Sequence, residues 1–210
     1  MNRSVINHWS PENQRRAAAI LASYPEDRSA VMPLLYLASR EHRYVTEDAM
    51  KEVAALVGIA AAQVRSVASF YTMYKREPVG DYLISVCTSI SCHLLGGDQV
   101  LAAAFSAAGV GNGETTEDGK ISVERAECIG ACGGAPAVQV NYELIEGITP
   151  DKIAALVAWL NDTQPNVVLT DEMQQLFGGQ RSFDWGPTES VGASSAVPAF
   201  GPYGSASEGQ

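Results

Sequence analysis

The sequence predicts an α+β protein, an N-terminal helical bundle followed by an α/β domain and a Gly/Ser/Pro-rich C-terminal tail. Three observations carry this. Helix caps and 3.6-residue apolar spacing run through residues 11 to 74. From Tyr82 the pattern changes to β-rich runs alternating with helices. Beyond Leu176, residues 178 to 210 hold seven Gly, six Ser and three Pro, with only four charged side chains, too little apolar surface to offset their ordering entropy alone. The expected divisions are an extension over residues 1 to 10, a bundle over 11 to 77, an α/β domain over 78 to 165, and a C-terminal extension over 166 to 210, largely disordered or partner-bound.

The elements follow in order. Ser10 before Pro11 and Glu12 is an N-cap with proline at the first helical position, and Ile20, Leu21 and Tyr24 supply part of an apolar face. A second helix is expected over Arg28 to His42, with Pro33 tolerated near its start. Thr46 caps a third, Glu47 and Asp48 suit its dipole, and Gly58 ends it. Met50, Val53, Ala54 and Val57 lie on one face. A fourth runs from about Ala61 to Phe70, and Arg76 to Gly80 reads as the boundary turn. Tyr82 to Val86 is a strand ending at Cys87. Asp98 can cap a helix whose face is Leu101, Ala104, Phe105 and Ala108, closed by Gly109. Ile121 to Val123 and Ala137 to Val140 are short strands, and Thr149-Pro150 starts a helix with Ile153, Leu156, Val157 and Leu160 on one side.

Composition excludes some functions. With 14 Lys+Arg against 24 Asp+Glu the net charge is −10, and without a basic block there is nothing to neutralise nucleic-acid phosphates. No apolar run reaches the roughly 18 residues of a membrane helix. The N-terminal residues have neither the apolar core of a secretory signal nor the Arg/Ser-rich character of a transit peptide, so a cytoplasmic, reducing location is expected. Charged residues are 18%, below the usual quarter or so, consistent with a surface partly covered by another protein.

A reducing location turns attention to the four cysteines, since clustered thiols there more often bind metal or do redox chemistry than form disulfides. They are Cys87-x4-Cys92 and, after 35 intervening residues, Cys128-x3-Cys132. Each pair follows a strand-like run, so two loops at neighbouring strand ends would bring four thiolates together. A 2Fe-2S cluster needs two thiolates per iron. The loops between the ligands, Thr88 to Ser91 and Ile129 to Ala131, followed by Gly133-Gly134, are uncharged and leave backbone N–H groups free for a negatively charged cluster. A four-Cys zinc site is the main competitor, though its pairs are most often spaced by two residues. Redox thiols and plain core cysteines also remain open, but no Cys-x-x-Cys is present.

Ala68 to Tyr74, Pro78-Val79-Gly80 and Val86-Cys87-Thr88, together with Glu127 to Cys132, Ala135-Pro136 and Val138 to Asn141, resemble the small 2Fe-2S subunit of NADH:quinone oxidoreductase, respiratory complex I. The resemblance covers roughly residues 10 to 165. Related subunits occur in NAD-linked hydrogenases and formate dehydrogenases. The resemblance implies a helical bundle before a thioredoxin-like ferredoxin domain, and one 2Fe-2S cluster held by Cys87, Cys92, Cys128 and Cys132. It further implies docking against a flavoprotein subunit that itself binds FMN and NADH, with the other iron–sulfur subunits of the complex as neighbours. The chain would then have no catalytic residues of its own, and would sit on the inner face of the cell membrane through the peripheral arm.

Other features read more plainly. His93 beside Cys92 is a helix-start or surface histidine, four cysteines already being available. Gly109 to Glu114 imitates a dinucleotide fingerprint but has glutamate at the third glycine and follows a helix. Thr88, Ser89 and Ser91 have no base nearby and suit cluster hydrogen bonding. Tyr71, Met73 and Tyr74 suit an interdomain core. Phe183, Trp185, Phe200 and Tyr203 are unusual for a linker and suit a tail lying on a partner.

Overall fold

A computed structural model describes residues 9–182 and 192–193. The chain divides between Pro78 and Val79 into two compact units.

The first unit is helical. Ser10 caps α1 (Pro11–Ala22), its hydroxyl accepting from the Asn13 N–H at 3.3 Å. Glu41 ties this cap to α2: its carboxylate accepts from the Ser10 N–H (2.9 Å), the Ser10 hydroxyl (3.1 Å) and the Asn13 amide. The helix expected over 28 to 42 is a 3-10 turn, Asp27–Ala30, running into α2 (Val31–His42). Pro33 falls in the first α-turn, where its missing N–H costs no bond. Thr46 caps α3 (Glu47–Val57), which ends at Gly58 with φ +71°. After α4 (Ala61–Phe70), Tyr74 is buried inside this unit: its hydroxyl donates to the Met32 carbonyl at 3.0 Å and its ring lies 5.0 Å from Tyr36. Tyr74 thus belongs to the bundle's own core, with Leu34, Leu35, Leu37, Met50, Val53 and Val64.

The second unit has a five-stranded mixed sheet in the order β2-β3-β1-β4-β5. The strands are β1 (Tyr82–Cys87), β2 (Glu114–Thr115), β3 (Ile121–Ala126), β4 (Ala137–Val140) and β5 (Glu143–Glu146). β1 is buried along its whole length. It pairs parallel with β3, from Tyr82 opposite Ile121 to Cys87 opposite Ala126, and antiparallel with β4. Asn141 and Tyr142 both have positive φ and make the tight turn into β5, a two-residue hairpin geometry that asparagine tolerates well. The Asn141 side chain also extends the sheet, accepting from the Leu83 N–H (2.8 Å) and donating to the Asp81 carbonyl (2.9 Å).

Among the described residues four helices complete the unit: α5 (Ile90–Leu94), α6 (Gly97–Ala108), α7 (Pro150–Thr163) and α8 (Thr170–Phe177). α6 and α7 pack on one another, and Val100, Leu101, Ala104, Ile153, Leu156 and Leu160 share one core with the sheet. The N-cap of α6 is Gly96, not Asp98, which lies in the first turn. Part of the C-terminal extension expected from residue 166 folds onto this unit. Val168, Met173, Phe177 and Ala193 join the core, and Val168 forms a β-bridge with Ala193. The Gln174 amide accepts from the Glu146 N–H (2.8 Å) and donates to the carbonyls of Glu146 and Gly179, closing the free edge of β5 with a side chain. Phe183, Trp185, Phe200 and Tyr203 lie outside the described residues.

Candidate metal centre

The parallel pairing of β1 and β3 builds this site. Both strands end level, Cys87 opposite Ala126, and the Thr88 N–H donates to the Ala126 carbonyl at 3.2 Å as the ladder's last rung. Cys87 closes β1, and Cys128 follows two residues after β3, so the two loops leave the sheet side by side. The chain after Cys87 turns at once into α5, a single helical turn held by the His93 N–H on the Ser89 carbonyl (2.8 Å), which carries Cys92 back toward Cys87. The second loop passes Gly130, at φ +87°, and enters a 3-10 turn at Cys132–Gly134.

The sulfurs are free thiols in contiguous pairs. Cys128 and Cys132 lie 3.6 Å apart, Sγ to Sγ. Cys87 and Cys92 pack with Ala131 and Ala137, and α5 of the first loop lies beside the 3-10 turn that begins at Cys132. Burial, reinforced by Cys87 and Cys132, pushes the Cys92 thiol up to about 11 against the opposing Ala137 N–H. Cys132 is raised chiefly by its hydrogen bond with Cys128. Cys87 and Cys92 are buried, Cys128 and Cys132 exposed. Among the described residues no three His, Cys, Asp or Glu side chains surround a point that would hold a single ion. Two thiol pairs facing one another suit a binuclear group, with one pair per metal.

Glycine fits the backbone around this group. A Cβ on Gly97 would stand 2.8 Å from the Cys87 carbonyl oxygen and 2.9 Å from the Cys92 carbonyl carbon, so the start of α6 rests on the backbone of both first-pair cysteines. Behind the second loop, a Cβ on Gly134 would collide with the buried Glu146 carboxylate at 2.2 Å. Sequence reasoning finds Gly133-Gly134 but misses Gly97; the only signal is the Gly96-Gly97 doublet where a helix is expected to begin.

The remaining polar residues take separate places. The His93 ring, exposed, points its Nδ1 to Asp98 at 2.7 Å. Thr88 accepts from Arg125 (2.9 Å), and Ser89 reaches Glu127 at 3.5 Å. In the glycine-rich stretch after α6, Glu114 takes the Gly111 N–H at 2.7 Å, occupying a donor that a phosphate would need.

Known proteins are similar to this chain over both units. The thioredoxin-like [2Fe-2S] ferredoxin family matches residues 17–161. An NADH-quinone oxidoreductase subunit of Mycobacterium tuberculosis (strain ATCC 25618 / H37Rv) is 42% identical over 149 residues, 71% of this chain and 59% of that protein. The chain therefore spans about three fifths of that relative's length. Another such subunit, from Thermus thermophilus, is 39% identical, the match covering 66% of this chain and 78% of the relative. The one from Rickettsia bellii is 36% identical, the match covering 75% and 96%. In fold, the chain is similar to a crystal structure of an NAD+-reducing [NiFe]-hydrogenase, with a TM-score of 0.55 at 22% identity over 63% of this chain and 23% of that one. With a family match over most of its length, two loops of paired thiols at the ends of parallel strands, and a helical unit before them, this chain belongs to the thioredoxin-like [2Fe-2S] ferredoxin family.

Proposed function

We propose that this chain is an electron-transfer subunit of NADH:quinone oxidoreductase, holding one 2Fe-2S cluster through Cys87, Cys92, Cys128 and Cys132. It exchanges single electrons with FMN in an adjacent flavoprotein subunit, which also carries the NADH site. One observation carries the reading: two thiol pairs on loops that leave the ends of β1 and β3 side by side, with Cys87 and Cys92 packed against Ala131 of the second loop. When bound, the cluster supplies one-electron redox chemistry, and the protein supplies ligands, orientation and electrostatics. Cys87 and Cys92 form the buried anchor, and Cys128 and Cys132 the solvent-facing side.

The relatives named as NADH-quinone oxidoreductase subunits support the respiratory assignment over an equivalent hydrogenase or formate dehydrogenase subunit. A structural zinc module is disfavoured by the pair spacings, four and three intervening residues where zinc knuckles most often have two. Ile90, Leu94 and Leu95 flank Cys92 with large exposed apolar side chains, which supports a protein partner covering this end. No single helix among the described residues is long and apolar enough to cross a membrane, in keeping with attachment to the inner face through the complex's peripheral arm.

The test is metal and sulfide analysis of the full chain purified with its complex. The reading requires two irons and two acid-labile sulfides per chain and a flavoprotein among the co-purifying subunits. One zinc and no sulfide would overturn it.

A further inference from the structure

We propose that Arg125 is a positioning residue that latches the first ligand loop and balances charge beside the cluster; this rests on the cluster assignment above. Arg125 stands on β3, three residues before Cys128, with its N–H fixed on the Asn112 side chain at 2.7 Å. Its guanidinium reaches across to the other loop. Nη1 donates to the Thr88 hydroxyl at 2.9 Å, and Nη2 lies 3.5 Å from Asp98 Oδ1 in the first turn of α6. The other Asp98 oxygen holds the His93 ring at 2.7 Å. Thr88 follows Cys87 and His93 follows Cys92. A chain of four side chains therefore grips the neighbour of each first-pair cysteine from the strand that leads to the second pair.

The chemistry suits arginine. One planar fork serves a hydroxyl and a carboxylate at once, which a lysine's single ammonium does less well. Asp98 Oδ1 is screened from solvent and accepts no hydrogen bond, so the guanidinium is its charge partner. Reduction adds negative charge to a four-thiolate cluster; a nearby cation favours the reduced form and a nearby anion opposes it. The intact pair is neutral, and removing either member exposes the other. Both side chains are partly exposed, 52% and 41%, so solvent and salt moderate the effect.

Two measurements on the full chain test this. In EPR-monitored redox titrations of cluster-loaded protein at low ionic strength, Arg125→Gln lowers the midpoint and Asp98→Asn raises it. Each shift is expected to reach about tenfold in the reduced-to-oxidised ratio, about 59 mV for one electron, and to shrink at high salt. Arg125→Lys, which keeps the charge, stays nearer the parent than Arg125→Gln does. In cluster-free protein, Arg125→Gln speeds amide hydrogen exchange at His93 and Leu95, whose N–H groups close α5 onto Ser89 and Ser91. Midpoint shifts of the same sign, or none, in the two charge-removing variants would overturn the charge role, and unchanged exchange would overturn the latch. If Arg125→Gln fails to load, Asp98→Asn and Arg125→Lys still decide the first question. A parent chain lacking any 2Fe-2S signal would instead refute the cluster assignment, while the exchange measurement would still report on the latch.

Discussion

The two ligand loops hold their cysteines in different ways. In the first, Cys87 ends a fully buried strand, Cys92 sits on a helical turn, and Gly97 presses α6 onto the backbone of both. In the second, Cys128 and Cys132 lie exposed on a glycine-rich segment ending in a 3-10 turn, backed by Glu146. Under the proposed assignment the first loop is the buried frame of the site and the second its exposed side. Equal numbers of cysteines therefore do not mean equal surroundings: one pair is buried and the other faces solvent.

The largest expected effect is loss of a ligand. Alanine at any of Cys87, Cys92, Cys128 or Cys132 leaves an iron with one thiolate, and iron and sulfide per chain should fall to background. Two irons retained in Cys92→Ala would remove that residue from the set and invert the comparison.

Glycine substitution separates the loops without touching a ligand. Gly97→Ala drives a methyl group into two backbone carbonyls that have nowhere to move, and should cost about 3 kcal/mol or more, an overpacking penalty at its upper end. Gly130→Ala has open space around its Cβ and faces only its positive φ, so it should cost about 1–2 kcal/mol. Urea denaturation of the cluster-free full chain measures both, and equal costs would erase the distinction between the buried frame and the exposed loop.

The fold is legible where local chemistry decides it. Ser10 with Pro11, Thr46 with Gly58, and Thr149 with Pro150 mark helix ends because caps and φ preferences act within one turn. The thiol spacing, with the β-rich runs before it, points to two loops meeting. What escapes depends on partners distant in sequence. Gly97 is needed because of carbonyls five and ten residues upstream. Arg125 stands between Glu124 and Glu127 in sequence, yet it reaches across to Thr88 and Asp98, while Glu124 accepts from Ser85 at 2.7 Å. α5 is too short for a periodic pattern, and β5 is an edge strand bounded by glutamates. α8 merges with the tail in sequence because Asp, Glu and Gln dominate it, although Met173 and Phe177, four apart, are its buried stripe.

That last difference yields a test behind the second loop. Gln174→Ala removes the side chain that satisfies the buried Glu146 N–H and should cost about 1–3 kcal/mol, the penalty of an orphaned buried donor. The loss should appear in the second unit's unfolding while leaving the first loop's protection unchanged. A neutral substitution would mean α8 is an attachment, not part of the fold.

A smaller effect is expected from pH. In the cluster-free chain the Cys92 thiol, raised by burial and by Cys87 to about 11, is protonated at neutral pH. Because its folded value lies above the ordinary 9.0, the folded state holds the proton more tightly. This contribution to stability is fully present below pH 9 and is lost as pH rises toward 11. Alkylation at pH 8 should accordingly be slower at Cys92 than at the exposed second pair. Equal rates would show that the first pair is not preformed.

A four-cysteine 2Fe-2S centre in an acidic chain is tested above all by the midpoint potential of the cluster, read by EPR during redox titration of the full chain. Plant-type clusters with all-cysteine ligation lie near about −400 mV. Backbone amides of the two loops that reach the cluster would favour the reduced form, while the chain's net charge of −10 opposes it. The expected midpoint lies below about −250 mV, with partial reduction by NADH and complete reduction by dithionite. A midpoint near zero or above would mean that histidine or another cluster type occupies the place assigned to Cys87, Cys92, Cys128 and Cys132.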